Sequence, residues 1–254
     1  DMDRGERPLH RDLLDPGRHP APRRSAALRL EVRPVNAPPS FFEIVWLARW
    51  PLLYGLGTTV AISFLAILGG TVLGTGLGLA LTYGNRFVRL LARVYTDVIR
   101  GTPVLVLVLA SFYILGTVGL DLTAFQAGVL ALTLFCASHV GEITRGALQT
   151  VHKGQTEAAK AIGLTFGQTF RYVLGPQALR LALPPLINTA AEMVKASTLL
   201  SVIGVAELLL RTQEVISRAF HSLEFYLFAG FLYFIVNYAI ERLGRHVERR
   251  VSVA

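Results

Sequence analysis

The chain is short of charge. Of its 254 residues only 17% are Asp, Glu, Lys or Arg, where a soluble domain carries about a quarter. Cysteine is almost missing: Cys136 stands alone, so no internal disulfide can form and no cysteine cluster can hold a metal. The histidines are scattered. His139 and Glu142 share a helix face but are two ligands at most, too few for a metal, so no metal residues are assigned. No GxxxxGK[ST] occurs anywhere, which excludes ATP binding by a phosphate loop of that kind. No apolar segment lies near residue 1, so the chain does not open on a cleavable secretory signal, and the first span is expected to act as the insertion signal.

What is present is apolar and bunched. Hydrophobic residues make up 52% of the chain and mean hydropathy is +0.49. Pro51 to Asn85, Thr102 to Leu120, Leu122 to Gly141 and Phe225 to Ile240 carry no formal charge, and Leu181 to Ala191 and Ala196 to Ala206 flank a short charged stretch. About 20 apolar residues cross a bilayer core as a helix, and lipid offers the backbone no other hydrogen-bond partner. The runs predict an all-α, polytopic membrane protein with spans near 56–82, 102–119, 124–145, 184–206 and 224–243. Residues 1–40 are rich in Arg, Asp and Pro and read as a disordered tail, leaving 41–254 as the transmembrane domain. Phe41 to Trp50 reads as an amphipathic helix along the outer interface, anchored by Trp46 and Trp50.

The net charge is +8 and the pI near 10.1. The basic residues flank spans and no aromatic–basic module accompanies them, so nucleic acid is not the expected partner; membrane lipid is. Arg86, Arg89, Arg93 and Arg100 follow the first span, Lys153, Lys160, Arg171 and Arg180 the third, and Arg242, Arg245, Arg249 and Arg250 the last. The positive-inside rule places these segments in the cytoplasm. An odd number of spans then puts the N-terminus outside and the C-terminus inside. The nine arginines up to Arg49 run against this orientation; the three other segments agree on it.

Two features mark the spans. Gly70, Gly74 and Gly78 recur every four residues and share one face, a pattern that lets helices approach closely in lipid. Glu192 and Lys195 lie three apart near the middle of the fourth span and can pair. A charge there costs about 2.5–3.5 kcal/mol on insertion scales. Two readings stand: with Asn188 they line a wet path for a charged or zwitterionic solute, or they are a structural ion pair. Glu142 and Arg145 form a similar pair at the inner end of the third span, as gating or structural residues. Asp97 and Arg100 read as a solvated interface pair.

Between 146 and 180 lies a polar segment of helical character. In "TEAAKAIG", Thr156 is placed to cap a helix, Ala158, Ala159 and Ala161 keep that helix thin, and Gly163 can take the left-handed turn that ends it. A second stretch, "TFGQTFRYVL", is expected to stop at Gly175-Pro176, making a cytoplasmic helix–turn–helix knuckle.

"EAAKAIG" resembles the EAA–x3–G signature of permease subunits in ATP-binding-cassette importers: Glu157, Ala158, Ala159, then Gly163. "RGTPVLVLV", "GEITRGALQTVHKGQTEAA", "GPQALRLALPPLIN" and "KASTLLSVIGVAEL" extend the likeness to the polar amino-acid permease subfamily, over about 51–250. The resemblance implies a type I importer fold of about five spans in the bacterial cytoplasmic (inner) membrane. Residues 146–180 would be a coupling loop seated in a separate ATPase. It implies two ATPase subunits carrying ATP and magnesium, a second permease copy or sister subunit, and a periplasmic or lipid-anchored solute-binding protein. The chain itself would be no enzyme and hold no cofactor. Glu192 and the "KASTLL" stretch depart from the family pattern, as does the arginine-rich tail. Two rival functions remain at this point: an ion-coupled carrier using Glu192 and Lys195, and a membrane scaffold recruiting a cytosolic partner.

Overall fold

The computed structural model describes residues 40–253. The expected tail thus lies outside the described residues except for Ser40, which caps the first helix: the Glu43 carboxylate accepts the Ser40 N–H at 2.9 Å. Helix α1 then runs unbroken from Phe41–Tyr83, 43 residues, with Pro51 inside it. The separate interface helix expected over 41–50 is therefore the first part of α1. Pro51 removes a bond from the carbonyl of Leu47, which stands 73% exposed, so the missing bond falls on an open part of the helix.

Helix α2 (Arg86–Gly101) opens on Asn85, whose side chain accepts the Val88 N–H at 2.9 Å. Thr102 precedes Pro103 and is pushed into the extended region, φ −100° and ψ 132°. The chain consequently turns through 108° before α3 (Val104–Leu109), a π-turn over Ala110–Ile114 and the short α4 (Leu115–Thr117). The second span is thus not a straight helix over 102–119: it is one limb of a broken pair. Helix α5 (Ala124–Thr150) starts on a Thr123–Gln126 capping box. Among the described residues four helices are long and apolar enough to cross a membrane, five if the bent pair counts as a span.

The α1–α5 contact is the spine of the bundle. A Cβ on Gly70 would stand 2.5 Å from Cys136 Cβ, one on Gly74 2.7 Å from the Ala137 carbonyl oxygen, and one on Gly78 2.7 Å from the Gly141 carbonyl oxygen. The four-residue glycine step on α1 meets small residues at the same step on α5, as the spacing predicts. Around it Ile62, Ala66, Leu132 and Leu200 form a core buried to 0% exposure.

After α5 come α6 (Lys153–Ala161), α7 (Phe166–Thr169), a π-turn over Phe170–Leu174 and α8 (Gly175–Ala196). The expected stop at Gly175-Pro176 is absent. Pro176 has no N–H, and its ring would crowd the carbonyl one α-turn back. The chain widens instead: the Gly175 N–H bonds the Phe170 carbonyl, an i to i−5 bond, and the helix continues. Helix α8 tightens into a 3₁₀ segment over Ser197–Ile203, closed by Gly204 at φ 81°, so the fourth span is α-helical only to Ala196. Helices α9 (Leu208–Ala219) and α10 (Ser222–Val253) complete the unit.

Candidate coupling and pathway site

Helix α6 carries the EAA residues. Its N-cap is His152, not Thr156: the imidazole Nδ1 accepts the Gly154 N–H at 3.1 Å. At the other end the Leu164 N–H reaches the Ala159 carbonyl at 3.0 Å and the Gly163 N–H reaches Lys160 at 2.9 Å. This is a Schellman closure, and it requires Gly163 to sit at φ 82°. Ala159 faces inward at 3% exposure, while Glu157, Ala158 and Ala161 are exposed and Ile162 is 77% exposed. Beyond the helix, Tyr83 at the end of α1 packs edge-on against Phe166 of α7 and Phe170 of the π-turn, with centroids 5.1 and 6.3 Å away. Gln177 of α8 reaches Gln155 at 3.3 Å. Three motif residues therefore sit on a short helix that α8 touches through Gln155, the fourth, Gly163, closes its end, and Glu157 and Ala158 stand open.

Asn188, Glu192 and Lys195 form one stripe along α8, at i, i+4 and i+7, and all three are exposed. No ion pair joins Glu192 to Lys195 among the described residues. Spacing of three permits contact without enforcing it, and two long exposed side chains gain little by closing. Asn188 opens onto a groove between α8 and α10 that Glu241 and Arg245 also line. The Glu142–Arg145 pair is formed: Arg145 donates two bonds to one carboxylate oxygen, at 2.6 and 3.0 Å, and a third to Gln149 at 2.9 Å. Glu142 also lines a groove of about 480 Å³ between α2, α5 and α8, with Arg100 and His139. His139 is occupied locally by the Phe135 carbonyl at 3.0 Å and the Ser138 hydroxyl at 3.3 Å. No group of three potential metal ligands occurs among the described residues. Asp97 and Arg100 form no ion pair there either.

Residues 70–253 match the binding-protein-dependent transport system inner membrane component family. The chain belongs to this family. Among its relatives, the glutamine transport system permease protein GlnP of Escherichia coli K12 is 38% identical over 214 residues, 82% of this chain and 98% of that protein. The L-cystine transport system permease protein TcyB of Bacillus subtilis is 34% identical over 213 residues, 83% of this chain and 91% of that one. The crystal structure of an amino acid ABC transporter with histidines contains a chain 34% identical, with a TM-score of 0.77, covering 84% of this chain and 100% of its counterpart. Members of this inner-membrane family are transport components rather than enzymes.

One feature of this permease escaped the sequence reading. Glu207 is fully buried, and its carboxylate caps α9 through the Leu210 N–H at 2.8 Å. Glutamate is not a favoured cap, and the other groups that hold it lie 148 and 26 residues away. No local pattern announces it.

Proposed function

We propose that this chain is the membrane-spanning subunit of an ATP-driven importer of polar amino acids. The observation that carries the reading is α6: a helix bearing Glu157, Ala158 and Ala159, closed by a Schellman turn at Gly163, with Glu157 and Ala158 exposed. Such a surface receives a push from a docked partner. That partner is an ATPase subunit, one for each of two permease chains, and it supplies the ATP and magnesium that this chain does not hold. A periplasmic or lipid-anchored binding protein delivers the solute. Amino acids as cargo follow from the relatives, which are named for glutamine and L-cystine.

The α8 stripe supports a paired permease. Glu192 and Lys195 are exposed in a membrane-spanning helix. Facing bare lipid, each would cost about 2.5–3.5 kcal/mol on insertion scales. A second copy or sister subunit across that face encloses Asn188, Glu192 and Lys195 in a polar path. The Glu142–Arg145 pair and the groove beside Arg100 form the inner part of the path. The N-terminus is outside; the C-terminus and α6 are cytoplasmic.

The test is reconstitution with a candidate ATPase and binding protein. ATP hydrolysis stimulated by the loaded binding protein, together with uptake, is the expected result. Uptake by the chain alone, driven by an ion gradient, would overturn the reading.

A further inference from the structure

Glu207 takes no part in the function above, yet its buried carboxylate accepts three hydrogen bonds in the bundle's apolar interior. Its Oε1 accepts the Leu210 N–H at 2.8 Å, within α9. Its Oε2 accepts the Tyr233 hydroxyl of α10 at 2.5 Å and the Thr59 hydroxyl of α1 at 3.4 Å. The Thr59 oxygen in turn accepts the Leu208 N–H at 3.1 Å. One carboxylate thus joins three helices. No cation pairs with it among the described ion pairs: the adjacent Arg211 binds Glu214 at 2.7 Å and lies over the Tyr54 ring at 5.7 Å.

A buried carboxylate is an expensive way to hold helices together. Its desolvation is offset only by well-directed donors, here two hydroxyls and the first N–H groups of α9. Apolar contacts are already at hand, since Leu52, Leu208 and Phe225 form a buried cluster against which Tyr233 packs. What the carboxylate adds is direction: the donors fix where α9 sits against its neighbours.

Helix α9 needs that restraint because of how it is hung. It is preceded by Gly204 at φ 81° and followed by Phe220 at φ 59°, the latter a bulky residue in a conformation such side chains rarely adopt. A 12-residue helix lies between two left-handed turns. Helix α8 runs from the π-turn beside α6 to Ala196, so α9 stands at the end of the bundle opposite the coupling surface.

We infer that Glu207 is a positioning residue: it ties α9 to α1 and α10 so that the end of the bundle opposite α6 moves with those helices as one body. The functional half of this rests on the importer reading above.

Two variants test it in the full chain, assembled with its ATPase and binding protein. Tyr233→Phe keeps the Glu207 cap on Leu210 and cuts only the tie to α10. Glu207→Gln keeps an acceptor for Leu210 but puts an NH2 group where Oε2 stood, so the Tyr233 and Thr59 hydroxyls lose the charged acceptor they donate to. Amide hydrogen exchange across α9 is expected to speed up about tenfold in Tyr233→Phe, the low end for losing a bond to a charged group, with α5 unchanged. Uptake per ATP hydrolysed is expected to fall by a similar factor in both variants, and the double variant to be no worse than Glu207→Gln. Unchanged α9 exchange in Tyr233→Phe overturns the tie, and that reading is independent of transport. Uptake and hydrolysis that fall in proportion to assembled complex also overturn it, leaving Glu207 a stability residue. Absence of ATP-driven uptake in the unsubstituted complex sinks the importer reading instead, while the exchange measurement still decides the tie.

Discussion

Gly163 offers an unusually clean perturbation of the coupling helix. A Cβ placed there meets no atom within 4 Å, so alanine adds neither clash nor contact within the chain. What remains is the backbone, held at φ 82° by the closure of α6. A residue with a Cβ pays about 1–2 kcal/mol for the left-handed conformation. At about 1.4 kcal/mol per decade, alanine lowers the population of the closed turn by roughly 5- to 30-fold. A β-branched residue resists that region more strongly, and asparagine tolerates it best among non-glycine residues. Opening the turn releases the Leu164–Ala159 and Gly163–Lys160 bonds and swings Ile162 away from its place at the tip. The assay is uptake per ATP hydrolysed in proteoliposomes, across Gly163, Gly163→Asn, Gly163→Ala and Gly163→Val. The expected order is glycine close to asparagine, then alanine, then valine, with ATP hydrolysis continuing throughout. If valine matches glycine, the left-handed turn has no role in coupling. If asparagine is as damaging as valine, side-chain bulk at the docking surface is responsible and the conformational argument fails.

Two further predictions follow from the same reasoning. Gly74→Ala drives a Cβ against the Ala137 carbonyl oxygen at 2.7 Å and is expected to cost about 1–3 kcal/mol of stability. Gly76→Ala, two residues away with nothing within 4 Å, is the matched control, and thermal melting in detergent should separate the pair. Glu192→Gln removes an exposed, unpaired carboxylate and should alter solute preference or transport rate while yield and melting temperature stay level; a loss confined to yield would return Glu192 to a structural role.

The features legible in the sequence are those written in a pattern local to one segment, wherever the partners lie. Charge-free runs marked the spans, the Gly70–Gly78 step marked the packed face of α1, and Gly163 marked the end of α6. The Glu142–Arg145 pair needed only its own helix. Other features depend on how a proline is accommodated. Pro51 is tolerated inside α1, Pro176 is absorbed by a π-turn, and Pro103 turns the chain through 108°. The residue type is the same in all three, and the outcome differs with the backbone around it. Thr102, forced extended ahead of Pro103, was a readable warning of that bend. The His152 cap was hidden because Thr156 is a better cap by residue type, yet Thr156 lies inside α6. Glu207 was out of reach altogether, its partners being distant in the chain.

The bend after α2 has a consequence for the membrane itself. The limb beyond it, Val104 to Thr117, reaches only about 20 Å at 1.5 Å per residue. The hydrocarbon layer is about 30 Å thick. On that side the bilayer must thin, or a neighbouring helix must stand in for the missing length. Thinning costs a fraction of a kcal/mol for every ångström. Where no neighbouring helix stands in, the acyl-chain length of the host lipid becomes a variable of this protein's stability.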